Sequence, residues 1–306
     1  MTSQTLSNFD IKKSTVTLWL FRRQQSASGQ PPRFLGQWID TNEELENALK
    51  DVALVERQRI AEVHPYSLLG QNNESSALVI GADETHIDRV LTEMAAETPS
   101  KKVKEMQQIW NTGFYAMKFV AGKNVLYAIR KTESSWTTRK MKDAIYAFFS
   151  NHKLGLDDKP SFRISRGVDF FVLENELTIL EKGHFESILS YKEAHAADFQ
   201  KLQTEQTFKN LFTDLGPLVQ FVGTNKIHLR RACAIRDKAH YKNTDFMKRL
   251  RAHHGKYQLT LKFDASGKIV PTPETCADII RALLDHRLLS PFSESLYNVQ
   301  DAHPVN

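Results

Sequence analysis

Cysteine is scarce in this chain: Cys233 and Cys276 are the only two, far apart in sequence. Two such thiols cannot make the disulfide framework on which small secreted domains depend, and no Cys-x-x-Cys pair offers structural zinc. Two free thiols in a reducing compartment are expected. Long apolar runs are lacking too. The longest, Ala144–Phe149 and Val168–Leu173, fall far short of the roughly 20 residues that span a bilayer. The N-terminal MTSQTLSNFDIKK has no apolar stretch after a basic one, so no secretory leader is legible. These absences predict a cytoplasmic chain without membrane insertion of its own. Repeats of fixed period and low-complexity tracts are also missing. So are the glycine-rich phosphate loops and the G-x-S-x-G nucleophile turn.

What is present is ordinary for a folded protein. Hydrophobic residues make up 41% and charged residues 25% of 306, enough to bury a sizeable core. Thr15–Phe21 and Arg33–Ile39, rich in β-branched and aromatic residues, read as strands around the loop Arg22–Pro32. Asp40, Thr41 or Asn42 then caps a helix to about residue 60, with Glu43 and Glu44 in its first turn. A strand follows at Ser76–Ile80, a helix at Asp83–Glu97, and a hairpin of Tyr115–Ala121 with Asn124–Arg130. After the turn-rich Gly155–Pro160 comes a second hairpin, Asp169–Leu173 with Leu177–Leu180. Helical patterning then runs from Phe185 to about His254. A strand is expected at Tyr257–Phe263, and a helix opening at Thr272-Pro273. The order predicts an α+β fold of two lobes: a strand-rich N-terminal half over 1–155, and a hairpin-plus-helical C-terminal half over 156–306.

Charge is unevenly placed. Between Lys226 and Lys256 lie ten basic residues and two acids, a balance of +8 that leaves −3 for the rest of a chain of net charge +5. Lys226, Arg230, Arg231, Arg236, Lys238, Lys242, Lys248, Arg249 and Arg251 are the candidate binding residues. On a continuous helix, at about 100° per residue, Arg230, Arg231, Lys238 and Lys242 share one arc, opposite Leu229, Ala232, Cys233 and Ala239. Such a cationic stripe neutralises phosphates and releases counterions, giving sequence-tolerant affinity for a polyanion. Tyr241 and Phe246 would stack on bases if exposed. A solvated helix face paired to acids elsewhere is the competing reading. Arg139–Lys142 and Lys101–Lys104 are smaller clusters, and Arg163 and Arg166 flank the second hairpin.

Candidate catalytic residues are weak. Asp-x-Lys, which nucleases use on a strand to hold a divalent ion and orient water, occurs at Asp10–Lys12 and Asp157–Lys159, neither in a convincing strand. A phospholipase-type His-x-Lys-x4-Asp run starts at His240 and fails at Met247. His253 and His254 are adjacent and cannot both face one metal from a helix. No catalytic residue, metal ligand or cofactor is assigned.

Phe162–Leu173, continuing through Leu177–Leu180 to Phe185–Tyr191, and the ending Ala282–Ser290 with Tyr297 resemble the core of the KwaB family, the cytosolic components of the Kiwa anti-phage systems. The resemblance covers roughly residues 160–300 and supplies no DNA-contacting residues. It implies a bacterial, non-enzymatic DNA-binding effector, a homodimer, and association with the membrane protein KwaA, which would recruit it to the inner membrane. Three functions are thus in play: a DNA-binding defence effector, a metal-dependent nuclease, and a scaffold whose basic segment holds an acidic protein.

Overall fold

Alternation of β-branched and aromatic residues makes Thr15–Gln24 a strand, β1, flanked in the sheet by β2 (Arg33–Ile39) and β5 (Phe114–Ala121). This is a computed structural model, describing residues 4–24, 33–134, 136–138, 147–150, 152–157 and 161–300. The chain forms two compact units, one of Met1–Pro65 with Asn72–Leu189, the other of Tyr66–Gln71 with Ser190–Asn306. The expected boundary at Gly155–Pro160 lies partly outside the described residues. Most strands gather in the first unit, beside the 16-residue helix Glu43–Gln58, and most helices in the second, as an α+β chain.

The first unit is built on an eight-stranded sheet. To the three strands above it adds β3 (Glu62–Pro65), β4 (Ser76–Gly81), β6 (Asn124–Lys131), β11 (Phe170–Leu173) and β12 (Glu176–Ile179). Their order is β2-β1-β5-β6-β11-β12-β4-β3. All pairs are antiparallel except β3 with β4. Short pairs join β7 (Thr137–Thr138) to β10 (Ser161–Phe162) and β8 (Ala147–Ser150) to β9 (Lys153–Leu156). The centre is buried on both faces, so β5 and β11 read as continuous apolar runs. One face packs Leu18, Leu20, Tyr115, Met117 and Phe171 under α2 (Glu43–Gln58) and residues after α1 (Gln4–Asn8). Asn42 caps α2, accepting from Leu45 N at 3.0 Å. On the other face Phe21 stacks on Phe114 at 4.7 Å, and Phe170 meets Phe185 edge-on at 5.2 Å. A Cβ at Gly36 would meet the Phe21 ring at 2.8 Å, so β2 passes an aromatic core only as glycine. The expected helix Asp83–Glu97 is reduced to a 3-10 turn and α3 (Asp88–Glu93), followed by α4 (Gln107–Trp110).

A buried carboxylate ties β6, β11 and α5 (Lys182–Ile188) together. Asp169 is fully buried. It accepts from Arg130 Nη1 at 2.8 Å and Lys131 N at 2.7 Å, and shares a hydrogen bond with His184 Nδ1 at 2.9 Å.

The second unit packs α6 (Tyr191–Thr204), α7 (Gln206–Lys209), α8 (Gly216–Val222), α9 (Lys226–Lys238), α10 (Thr244–His253) and α11 (Cys276–Leu283) around one apolar cluster. Tyr66–Gln71 adds Leu68 and Leu69 to it. Tyr257–Phe263 does not form the expected strand; a single bridge joins Phe263 to Ile269. Too few ladder partners pass beside it. The hairpin β13 (Arg287–Leu289) with β14 (Leu296–Asn298) completes the unit.

Candidate nucleic-acid interface

The basic segment is two helices, not one. Asn225 caps α9, its side chain accepting from Ile227 N at 2.9 Å and His228 N at 3.2 Å. Ala239 ends α9 in the left-handed region, φ 50°. A 3-10 turn at His240–Lys242 follows, and Asn243 caps α10 by accepting from Asp245 N and Phe246 N. Lys242 therefore leaves the arc it was expected to share with Arg230, Arg231 and Lys238.

The apolar half of the expected pattern is met in α9, whose Leu229, Ala232 and Cys233 are buried. Ala234 and Ile235 are buried as well, so the apolar surface wraps most of the helix. Arg230, Arg231, Arg236 and Lys238 are consequently half-buried, and Lys226 alone of the α9 cations is exposed. Arg236 Nη1 pairs with Asp198 at 3.0 Å, and Lys242 Nζ pairs with Glu205 at 2.8 Å. Here the competing reading, cations spent on acids elsewhere, holds for at least these two residues. The hydrogen bond from Lys242 holds the Glu205 carboxyl below the usual range.

The open cationic face belongs to α10. Phe246, Met247 and Leu250 occupy an arc of about 100° facing the core, while Arg251, Lys248, Arg249 and His253 spread over about 200° of the exposed side. Arg251 Nε donates to the Gly267 carbonyl at 2.9 Å. Among the described residues no ion pair holds Lys226, Arg231, Lys248, Arg249 or Arg251. The expected aromatic contacts fail. Tyr241 is buried, 2% exposed, and its hydroxyl donates to Glu205 Oε2 at 2.9 Å. Phe246 is half-buried and stacks on His240 at 5.0 Å. His228 stacks on Phe221 at 4.5 Å.

Beside α10 lies a cleft of about 500 Å³ whose walls come from α10, α11, β13 and the chain at Tyr257–Leu259. Arg249, Arg281, Arg287, His253 and His254 line it, against the single acid Asp285. Arg281 Nη1 is held by Asp278 Oδ1, whose other oxygen accepts from Thr260 N at 2.9 Å. Burial pushes the Asp278 carboxyl up, but these hydrogen bonds outweigh it and leave the group below its usual range. Arg281 and Arg287 lie outside the segment that charge counting singled out. The signal that could have found them is the amphipathic Cys276–Leu283, whose inner face must pack beside whatever helix precedes it.

The Asp-x-Lys candidates do not gain a strand. Asp10 precedes the turn at 11–13 that leads into β1, and is paired with Lys13 at 3.6 Å. Asp157 follows β9, while 158 and 159 lie outside the described residues, as does the 139–142 cluster. Arg163 and Arg166 are exposed in the first unit, and Arg163 approaches Glu133 at 3.9 Å. Among the described residues no helix is long and apolar enough to cross a membrane.

No curated protein and no solved structure matches this chain. One family does, described as Kiwa protein KwaB-like, over residues 109–292. That span runs from α4 through both large hairpins and the two basic helices to the strand β13, more than half of the chain. The chain belongs to the KwaB-like family of Kiwa proteins.

Proposed function

We propose that this protein is an anti-phage defence component that binds DNA, without catalysis, through the cationic face of α10 extended by Lys226 and Arg231. It acts with the membrane-bound Kiwa partner KwaA, which brings the chain to the inner membrane, and it works as a homodimer. The observation that carries the DNA reading is the local charge of +8 between Lys226 and Lys256. Its most exposed part is the α10 face of Lys248, Arg249 and Arg251. A helix that buries one arc and leaves an unpaired cationic arc in water suits the backbone of a polyanion, where each neutralised phosphate releases counterions. Membership of the Kiwa family supports a phage-defence setting and a complex with the other Kiwa component.

The test is fluorescence anisotropy with labelled duplex DNA. Reversing Lys248, Arg249 and Arg251 to Glu should weaken binding by at least about a hundredfold at low salt, since each phosphate left without its cation costs on the order of 1 kcal/mol. Arg236→Glu, at a residue already paired with Asp198, should change affinity far less. Equal affinity for heparin and DNA would favour an acidic protein partner instead.

A further inference from the structure

We infer that the cleft between α10, α11 and β13 is a nucleotide pocket that takes a terminal phosphate on its arginines and a base on its apolar floor. A helix face that tracks an inner phosphate backbone has no use for a concavity. The cleft has one, and its volume of about 500 Å³ lies in the range of small-molecule sites. Its chemistry is divided. Arg249, Arg281 and Arg287 bring three guanidiniums to a wall with one carboxylate, Asp285. Phe246, Leu250, Leu259 and Ala282 form the apolar part, with the Tyr257 ring beside them.

Two details point to an anion rather than to a surface pairing. Arg287 Nε is buried, and among the described residues it has no hydrogen-bond acceptor. A buried guanidinium N–H without an acceptor is costly, and it belongs to a residue of the cleft wall, where a phosphate would pair with the guanidinium. Arg281 is fixed by Asp278, which is itself held by the Thr260 amide, so its fork is set before any ligand arrives. A bare phosphate would leave the apolar floor empty, and an uncharged base would leave the Arg249 and Arg287 side chains without an anion. A nucleoside phosphate fills both.

That ligand has two sources, a free nucleotide or the phosphorylated end of a DNA strand. The second source rests on the DNA-binding reading; the first does not. The experiment uses the full chain and isothermal titration calorimetry with dAMP, deoxyadenosine and inorganic phosphate. In parallel, short duplexes with 5′-phosphate or 5′-hydroxyl ends compete with closed circular DNA. Binding of dAMP well above that of deoxyadenosine or phosphate is expected. Arg287→Ala should weaken it about tenfold, the loss of one charge-assisted hydrogen bond, while affinity for closed circular DNA stays within about twofold. A preference for the 5′-phosphate end that Arg287→Ala abolishes identifies the strand end as the source; its absence with dAMP binding retained identifies the free nucleotide. Should Arg287→Ala fail to fold, Arg249→Ala, on the exposed face of α10, reads the same dAMP loss. No dAMP binding together with no end preference overturns the proposal, whatever closed circular DNA does. Loss of circular-DNA binding alone overturns only the DNA reading.

Discussion

Asp169 is fully buried, with three partners at 2.7–2.9 Å from β6 and α5. Breaking such a set leaves the Arg130 guanidinium, itself 19% exposed, with only the longer pairing to Glu133 at 3.7 Å. Asp169→Ala should cost about 3 kcal/mol of stability, read as a lower urea midpoint; a change under about 0.5 kcal/mol would show that the network does not hold the fold. Burial also governs the thiols. It pushes the Cys233 thiol up to about 12, with the Asp198 and Asp237 charges adding to the effect, and raises Cys276 as well. The folded state thus favours the protonated thiol. That preference contributes in full below the ordinary value of 9.0 and fades as pH rises towards about 12. At pH 8 neither cysteine should react with a thiol reagent until the chain is unfolded, when both should. Rapid labelling of the native protein would contradict the burial. That the thiols are free was legible in the count and spacing of cysteines; Asp169 was not, because nothing in a hairpin's pattern says which acid meets a distant arginine.

At the scale of elements, strands and hairpins were the legible part. β1, β2, α2, the β5–β6 hairpin and β11–β12 follow from alternation, caps and turns within a few residues. What stayed hidden was pairing across long separations: β6 with β11, and β12 with β4, depend on which apolar faces meet, not on local pattern. The break in the basic segment was hidden for another reason. Ala239 carries φ 50°, a conformation in which glycine is expected, so the residue gives no warning. The consequence is measurable. Ala239→Gly removes a Cβ from the left-handed region and should raise stability by about 0.5–1 kcal/mol. A loss instead would mean that α9 runs on through this position. The same break explains why charge marks the segment but not the face it presents. A wheel drawn through 239 puts Lys242 with Arg230 and Arg231, whereas the chain turns, pairs Lys242 with Glu205, and hands the exposed cationic arc to α10.

At the scale of the whole molecule, charge is the organising quantity. A chain of net +5 concentrates +8 in about a tenth of its length, within the unit that also holds the arginine-lined cleft. The other unit supplies a sheet whose centre is buried on both faces and a charged network turned inward on Asp169. Family membership places the protein in the Kiwa setting, and the α10 face is where it is predicted to meet a polyanion. The most direct measurement is the salt dependence of DNA affinity for the wild-type chain and for the Lys248, Arg249, Arg251 triple reversal. The slope of log affinity against log salt should be steep for the wild type. In the variant it should be shallower by about 0.9 for each phosphate no longer neutralised, nearly 3 in all. Parallel slopes, with affinity little changed, would contradict a DNA interface on α10.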